Sequence, residues 1–94
     1  MKLTLRVDTG NGPYEVSTNL AIIVAWERKY RRKASDLASG IGMEDLAFLA
    51  YEASKRAGVV VPVEFDKFID KLVTLDVLSE EPENPTDPAP TDTN

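Results

Sequence analysis

The chain has no cysteine and no histidine. Without cysteine there is no disulfide, no thiolate metal ligand and no thiol nucleophile. Without histidine the commonest general base, the commonest zinc ligand and any serine–histidine machinery are gone. No apolar run approaches the length of a membrane span. The first residues alternate polar and apolar rather than forming an apolar leader, so a cytoplasmic protein is expected. Ser17, Ser35, Ser39 and Ser54 have no histidine to activate them, and no buried lysine stands out to replace it. Asp66 and Asp70 lie one helical turn apart, as do the members of many polar helix faces; two carboxylates alone do not make a cation site. The expectation is a protein that is not an enzyme and carries no metal and no cofactor.

What is present comes in 94 residues with a net charge of −5. The charge is uneven. Residues 80–94 hold Glu80, Glu81, Glu83, Asp87 and Asp92 and no base, while residues 1–79 carry eleven bases and eleven acids. The body is therefore neutral, without the basic excess of a general nucleic-acid binder. The end, EEPENPTDPAPTDTN, has four prolines and no large apolar side chain. Such a segment cannot offset its ordering entropy and is expected to be disordered, with the composition of a flexible spacer. The expected organisation is one small domain over 1–79 and a disordered tail over 80–94. A core of that size is marginally stable unless oligomerisation or a bound partner helps.

The stretch around which the rest is organised is Glu44–Gly58, EDLAFLAYEASKRAG. Glu44 and Asp45 suit a helix start, Lys55 and Arg56 suit its end, and Gly58 suits the left-handed position beyond it. Leu46, Leu49, Ala50, Ala53 and Ala57 share one face, while Phe48 and Tyr51 project from another. Both faces can be core, or the aromatic side can await a partner protein.

Before it, Met1–Asp8 alternates as a strand, TGNGP over 9–13 is a turn, and Tyr14–Ser17 returns as a second strand. The turn lacks the Lys-Ser/Thr pair and the following helix of a phosphate loop. Thr18 or Asn19 can cap a helix reaching about Lys33. Its first half, Leu20–Trp26, is apolar all round, so Leu20, Ile22, Ile23 and Val24 are candidates for self-association. A continuation of the second strand competes there. Its second half, Glu27–Lys33, holds five bases in seven residues. They read as a solvated helix end, a contact for an acidic protein, or a phosphate-binding patch. Ala34–Gly42 is a Gly/Ser connection, with a helical turn at Ser35–Ala38. Val59–Val61 is a loop or a short third strand ahead of Pro62. Val63–Leu72 is a third helix with Phe65, Phe68, Ile69 and Leu72 as its apolar face, and Val73–Leu78 extends it or turns away. The fold class is α+β, mainly α, with an N-terminal β-hairpin packed on about three helices.

In this order, WERKY at 26–30, then LAFLAYEASKRAG, then VEFDKFIDKL and a Pro/Asp/Glu-rich end, the chain resembles the short tail assembly chaperones of long-tailed bacteriophages, especially those of actinobacterial hosts. The resemblance covers roughly residues 1–79. It implies a protein of the host cytoplasm that binds the aggregation-prone, helical tape-measure protein, keeps it soluble, helps recruit tail-tube subunits and is absent from the finished virion. It also implies a longer form made by ribosomal frameshifting, with 80–94 as the junction. A homo-oligomer is expected, with neither nucleic acid nor membrane as partner. Trp26, Tyr30, Phe48 and Tyr51 are the expected apolar contacts with a client or neighbour, and Arg28, Arg31 and Arg32 the polar rim. A small nucleic-acid-binding regulator using residues 28–33 and a structural virion adaptor are the alternatives.

Overall fold

The computed structural model describes residues 2–81. β1 (Lys2–Asp8) is the centre of the sheet. Leu3, Leu5 and Val7 alternate along it and all three are buried, because the period of a strand sends them to one face, where the helices lie. β2 (Pro13–Ser17) pairs antiparallel with β1, Leu5 opposite Val16 and Val7 opposite Tyr14. The expected turn joins them: Gly10 N–H donates to Asp8 Oδ1 at 2.8 Å. Gly10 and Gly12 hold φ of 102° and 100°, which an L side chain would resist. At the open end Leu3 N–H donates to Thr18 Oγ1 and Thr18 N–H to the Leu3 carbonyl, both at 2.9 Å. Thr18 is thereby tied to the hairpin, and Asn19 caps the helix, accepting from Ile22 N–H at 2.9 Å.

α1 (Leu20–Tyr30) buries Ile22, Ile23 and Trp26. It stops three residues short of the expected Lys33. Arg31 takes the left-handed conformation, φ 56°, and returns its N–H to the Glu27 carbonyl. The Glu27 carboxylate accepts from Ala34 N–H at 2.7 Å, which holds the chain after the helix. Residues Ala34–Ser39 form a 3-10 turn, covering the expected helical turn.

α2 (Met43–Arg56) is the helix on which the others converge. Residues 45–51 are buried without interruption, and Ala53 and Ser54 are buried too. It packs against α1, β2 and α3 (Phe65–Lys71), so its several apolar sides are core. Gly58, at φ 84°, ends it as the sequence indicates. Residues 59–63 are a loop, and α3 buries Phe68 beneath them.

The chain then departs from expectation. Leu72 leaves helical geometry (φ −65°, ψ 126°), and Thr74–Glu81 forms β3, antiparallel to β1 on the edge opposite β2. The hairpin is thus part of a three-stranded sheet, and Glu80 and Glu81, assigned above to a disordered tail, belong to its third strand. Val7 faces Leu75 and Leu5 faces Val77, but Thr4 faces Ser79, so Leu78 is the extra residue of a bulge. The remaining tail expectation falls on 82–94, outside the described residues. The architecture is α+β, with one face of an antiparallel sheet covered by helices.

Candidate protein-binding surfaces

An aromatic ladder runs through the helical layer. Trp26, Tyr30, Phe48 and Phe65 stand in sequence at ring-centroid distances of 6.1, 5.7 and 5.6 Å, and Tyr51 links Phe65 to Phe68 at 5.5 and 5.1 Å. This corrects the expectation that Trp26, Phe48 and Tyr51 meet a client: all three are buried inside one chain. Ile22 and Ile23, expected at a self-association surface, are buried against the same core. Ala-rich α2 permits this, because its small residues let α1 and α3 approach and cover the rings. Tyr30 is half-buried and Val24 partly so, while Leu20 stays 65% exposed.

The bases after Trp26 are divided. Lys29 Nζ lies 5.5 to 5.6 Å from the rings of Tyr30, Phe48 and Phe65. The Arg32 guanidinium lies 5.5 Å from Trp26 and within 3.7 Å of Asp36 and 3.9 Å of Asp45. Both cations therefore close over their own chain. Arg28 and Arg31 are exposed, the first on the last turn of α1 and the second at its cap.

Tyr30 O–H donates to Glu44 Oε2 at 3.0 Å. Its phenol is held protonated well above the usual range, chiefly by burial, then by that hydrogen bond and the negative fields of Glu44 and Asp45.

Apart from Leu20 on α1 and Val77 and Leu78 on β3, the exposed large apolar side chains lie on the two flanks of α3. On one flank is a groove of about 450 Å³ between the start of α2, α3 and the start of β3. Met43, Ala47, Ile69, Leu72, Val73 and Leu75 line it, with Glu44 at its edge. Met43 is 67% and Val73 65% exposed.

On the other flank the loop 59–63 stands out from the surface, with Val60 97% and Val63 96% exposed. The loop is fixed from below. The hydroxyl of buried Tyr51 lies 2.7 Å from the Pro62 carbonyl and 2.6 Å from that of Val63. Lys55 and Lys71 border the hollows on either side of it. Burying a valine fully contributes about 1.5–3 kcal/mol, so two presented side by side favour a covering surface.

Sequence reasoning missed both surfaces. The signal for the loop was present as the run VVVPV, read as a loop or a short third strand leading into a helix at Val63, with no surface role. The groove had no signal, because it exists only once β3 turns back beside α3.

Among the described residues no helix is long and apolar enough to cross a membrane, and no group of three or more acidic, His or Cys side chains is placed to hold a metal ion. No protein-family model, curated protein or solved structure matches this chain.

Proposed function

We propose that the domain is a tail assembly chaperone of a long-tailed bacteriophage, which binds the tape-measure protein and keeps it soluble in the host cytoplasm while the tail tube is built. The observation that carries the protein-binding part of this reading is the exposed apolar surface on both flanks of α3, on a small domain whose core is otherwise closed. Isolated exposed apolar side chains are ordinary, but a groove and a fixed loop presenting several of them mark a surface that another protein covers. The phage assignment rests on the order of segments WERKY, LAFLAYEASKRAG and VEFDKFIDKL. Neutrality of residues 1–79, and the use of Lys29 and Arg32 within the chain, favour a protein client over nucleic acid. The client contacts move from the buried aromatic residues to Met43, Ile69, Val73, Val60 and Val63, with Arg28 and Arg31 available as polar rim. The proline-rich composition of 82–94 suits a spacer leading from β3 to a second domain in a longer form.

The test is co-expression with the tape-measure protein of the same phage. The reading expects the tape-measure chain to move from the insoluble to the soluble fraction and to co-purify with the domain. Purified virions should lack the domain. A tape-measure chain that stays insoluble, or a domain retained in virions, would contradict it.

A further inference from the structure

The sheet order β2-β1-β3 leaves β3 bonded on one side only. In such an edge strand alternate residues aim their N–H and C=O groups away from the neighbour, and this outward row runs along Thr74–Glu81. Apolar side chains share the edge. Val77, opposite Leu5 in the register, is 41% exposed and Leu78 is 43% exposed. Leu75, on the same face of the strand as Val77, is also a wall of the groove made with Met43, Ile69 and Val73. The inner side of β3 and the groove thus form one apolar strip that the helices leave uncovered. The charge on the edge has one sign. The strand, TLDVLSEE, has no base, and Asp76 and Glu80 are exposed. Arg6, opposite Asp76 on β1, lies 4.0 Å from Glu15 on the other side.

We propose that this edge takes up an extended segment of another protein as a fourth strand, a segment in which apolar side chains alternate with lysine or arginine. Its backbone bonds the outward groups of β3, its apolar side chains lie beside Leu75 and Val77 toward the groove, and its bases, on the opposite face, meet Asp76. The bulge at Leu78 confines regular pairing to Thr74–Val77, the part of the strand next to the groove. Other occupants fit worse. Two β3 edges would set Asp76 and Glu80 against their like. The edge strand β2 of a second copy offers Glu15, and Pro13 without an N–H. Residues 82–94 hold four prolines, three acids and no large apolar side chain. A helix laid in the groove would leave the backbone row of β3 unbonded. As a template β2 is also the poorer edge, with 5 residues against 8. The acids therefore close the β3 edge to its own kind and open it to a basic strand.

The inference rests on the reading of the α3 flanks as a protein-binding surface and not on the phage assignment. The test uses the full labelled chain and a capped synthetic peptide of alternating lysine and valine, read by amide NMR and hydrogen exchange. Binding is expected to slow exchange of the outward amides within Thr74–Val77 and to shift Met43, Ile69 and Val73. Two methylated peptides report the mode, one carrying N-methyl groups on its lysine amides and one on its valine amides, because only one of these sets faces β3 in an added strand. One form is expected to bind about tenfold more weakly than the other, the effect of losing one or two backbone hydrogen bonds. Asp76→Lys/Glu80→Lys, checked for folding by circular dichroism, is expected to lose the lysine–valine peptide and to accept a glutamate–valine peptide that the wild type rejects. The methylated peptides need only the wild type, so the proposal stays testable if this variant does not fold. Equal effects of the two methylations, unchanged exchange along β3, or a folded charge-reversed variant with the original preference would overturn it. A client protein kept soluble while β3 exchanges as in the free domain would also overturn it, and would leave the protein-binding reading standing.

Discussion

The indole N–H of Trp26 donates to Asp45 Oδ1 at 2.9 Å, joining α1 to the first turn of α2 inside the core. The second oxygen of the same carboxylate accepts from Gly42 N–H at 3.0 Å and lies 3.9 Å from Arg32. One side chain therefore caps α2, satisfies the buried indole and holds the guanidinium over it. Asp45→Ala strands the indole donor, and an unsatisfied buried donor costs about 1–3 kcal/mol, with about 1 kcal/mol more for the lost helix-start bond. Asp45→Asn keeps an acceptor and should cost less. Urea unfolding followed by the fluorescence of Trp26 measures both. Equal losses for the two variants would show that the indole bond contributes nothing.

Tyr30 gives the domain an alkaline weakness. Its folded pKa is raised above the unfolded value of about 10. A raised phenol favours the folded state fully below that value, and the contribution is lost as pH climbs above it toward the folded pKa. Stability should therefore fall as pH rises above about 10, and Tyr30→Phe should flatten that part of the profile relative to wild type. A variant with the same slope would place its origin elsewhere.

Ser54 sits in α2 with its hydroxyl 2.8 Å from the hydroxyl of Tyr14 on β2, and it is wholly buried. The bond ties the hairpin to the central helix. A cycle of Tyr14→Phe, Ser54→Ala and the double variant should give a coupling energy of about 0.5–1.5 kcal/mol in chemical denaturation. A coupling near zero would mean that the two hydroxyls contribute independently.

Phe68 anchors α3 beneath the loop and is fully buried. Phe68→Ala should cost about 3–5 kcal/mol, a large share of the stability of a domain this small. It should lower the melting temperature far more than Ile69→Ala, since Ile69 is over a third exposed. Similar losses at the two positions would contradict the placement of α3.

β3 separates this fold from a hairpin-and-helices arrangement. A chain ending at Glu81 should melt close to the full chain. One ending at Val73 loses the strand that covers the open side of β1 beside Leu5 and Val7, and it should unfold or aggregate. Equal melting of the two truncations would remove β3 from the account.

The elements before residue 58 were legible because each has a local cause. Leu3, Leu5 and Val7 alternate, Asn19 can cap, Glu44 and Asp45 open a helix, and Gly58 closes it. β3 was not legible. Leu75, Asp76 and Val77 alternate as a strand should, but the bulge at Leu78 breaks the period and the strand ends in acids that suit a tail. What makes it a strand is the unfilled edge of β1, a tertiary cause. The candidate contacts failed for a related reason. Large aromatic residues on a helix are equally suited to a partner and to a core; the packing of α2 on α1 makes Trp26 interior, and the arrival of α3 does the same for Phe48 and Tyr51. The exposed valines and the groove are products of the same arrival.

Binding of another protein through the flanks of α3 is the proposal on which the functional reading depends. An amide NMR spectrum of the labelled domain, titrated with segments of the tape-measure protein, tests it most directly. The account predicts saturable shifts clustered at Met43, Ile69, Val73, Val60 and Val63. No shifts at any ratio, or shifts confined to Arg28–Lys33 and equally produced by a nucleic acid, would contradict it.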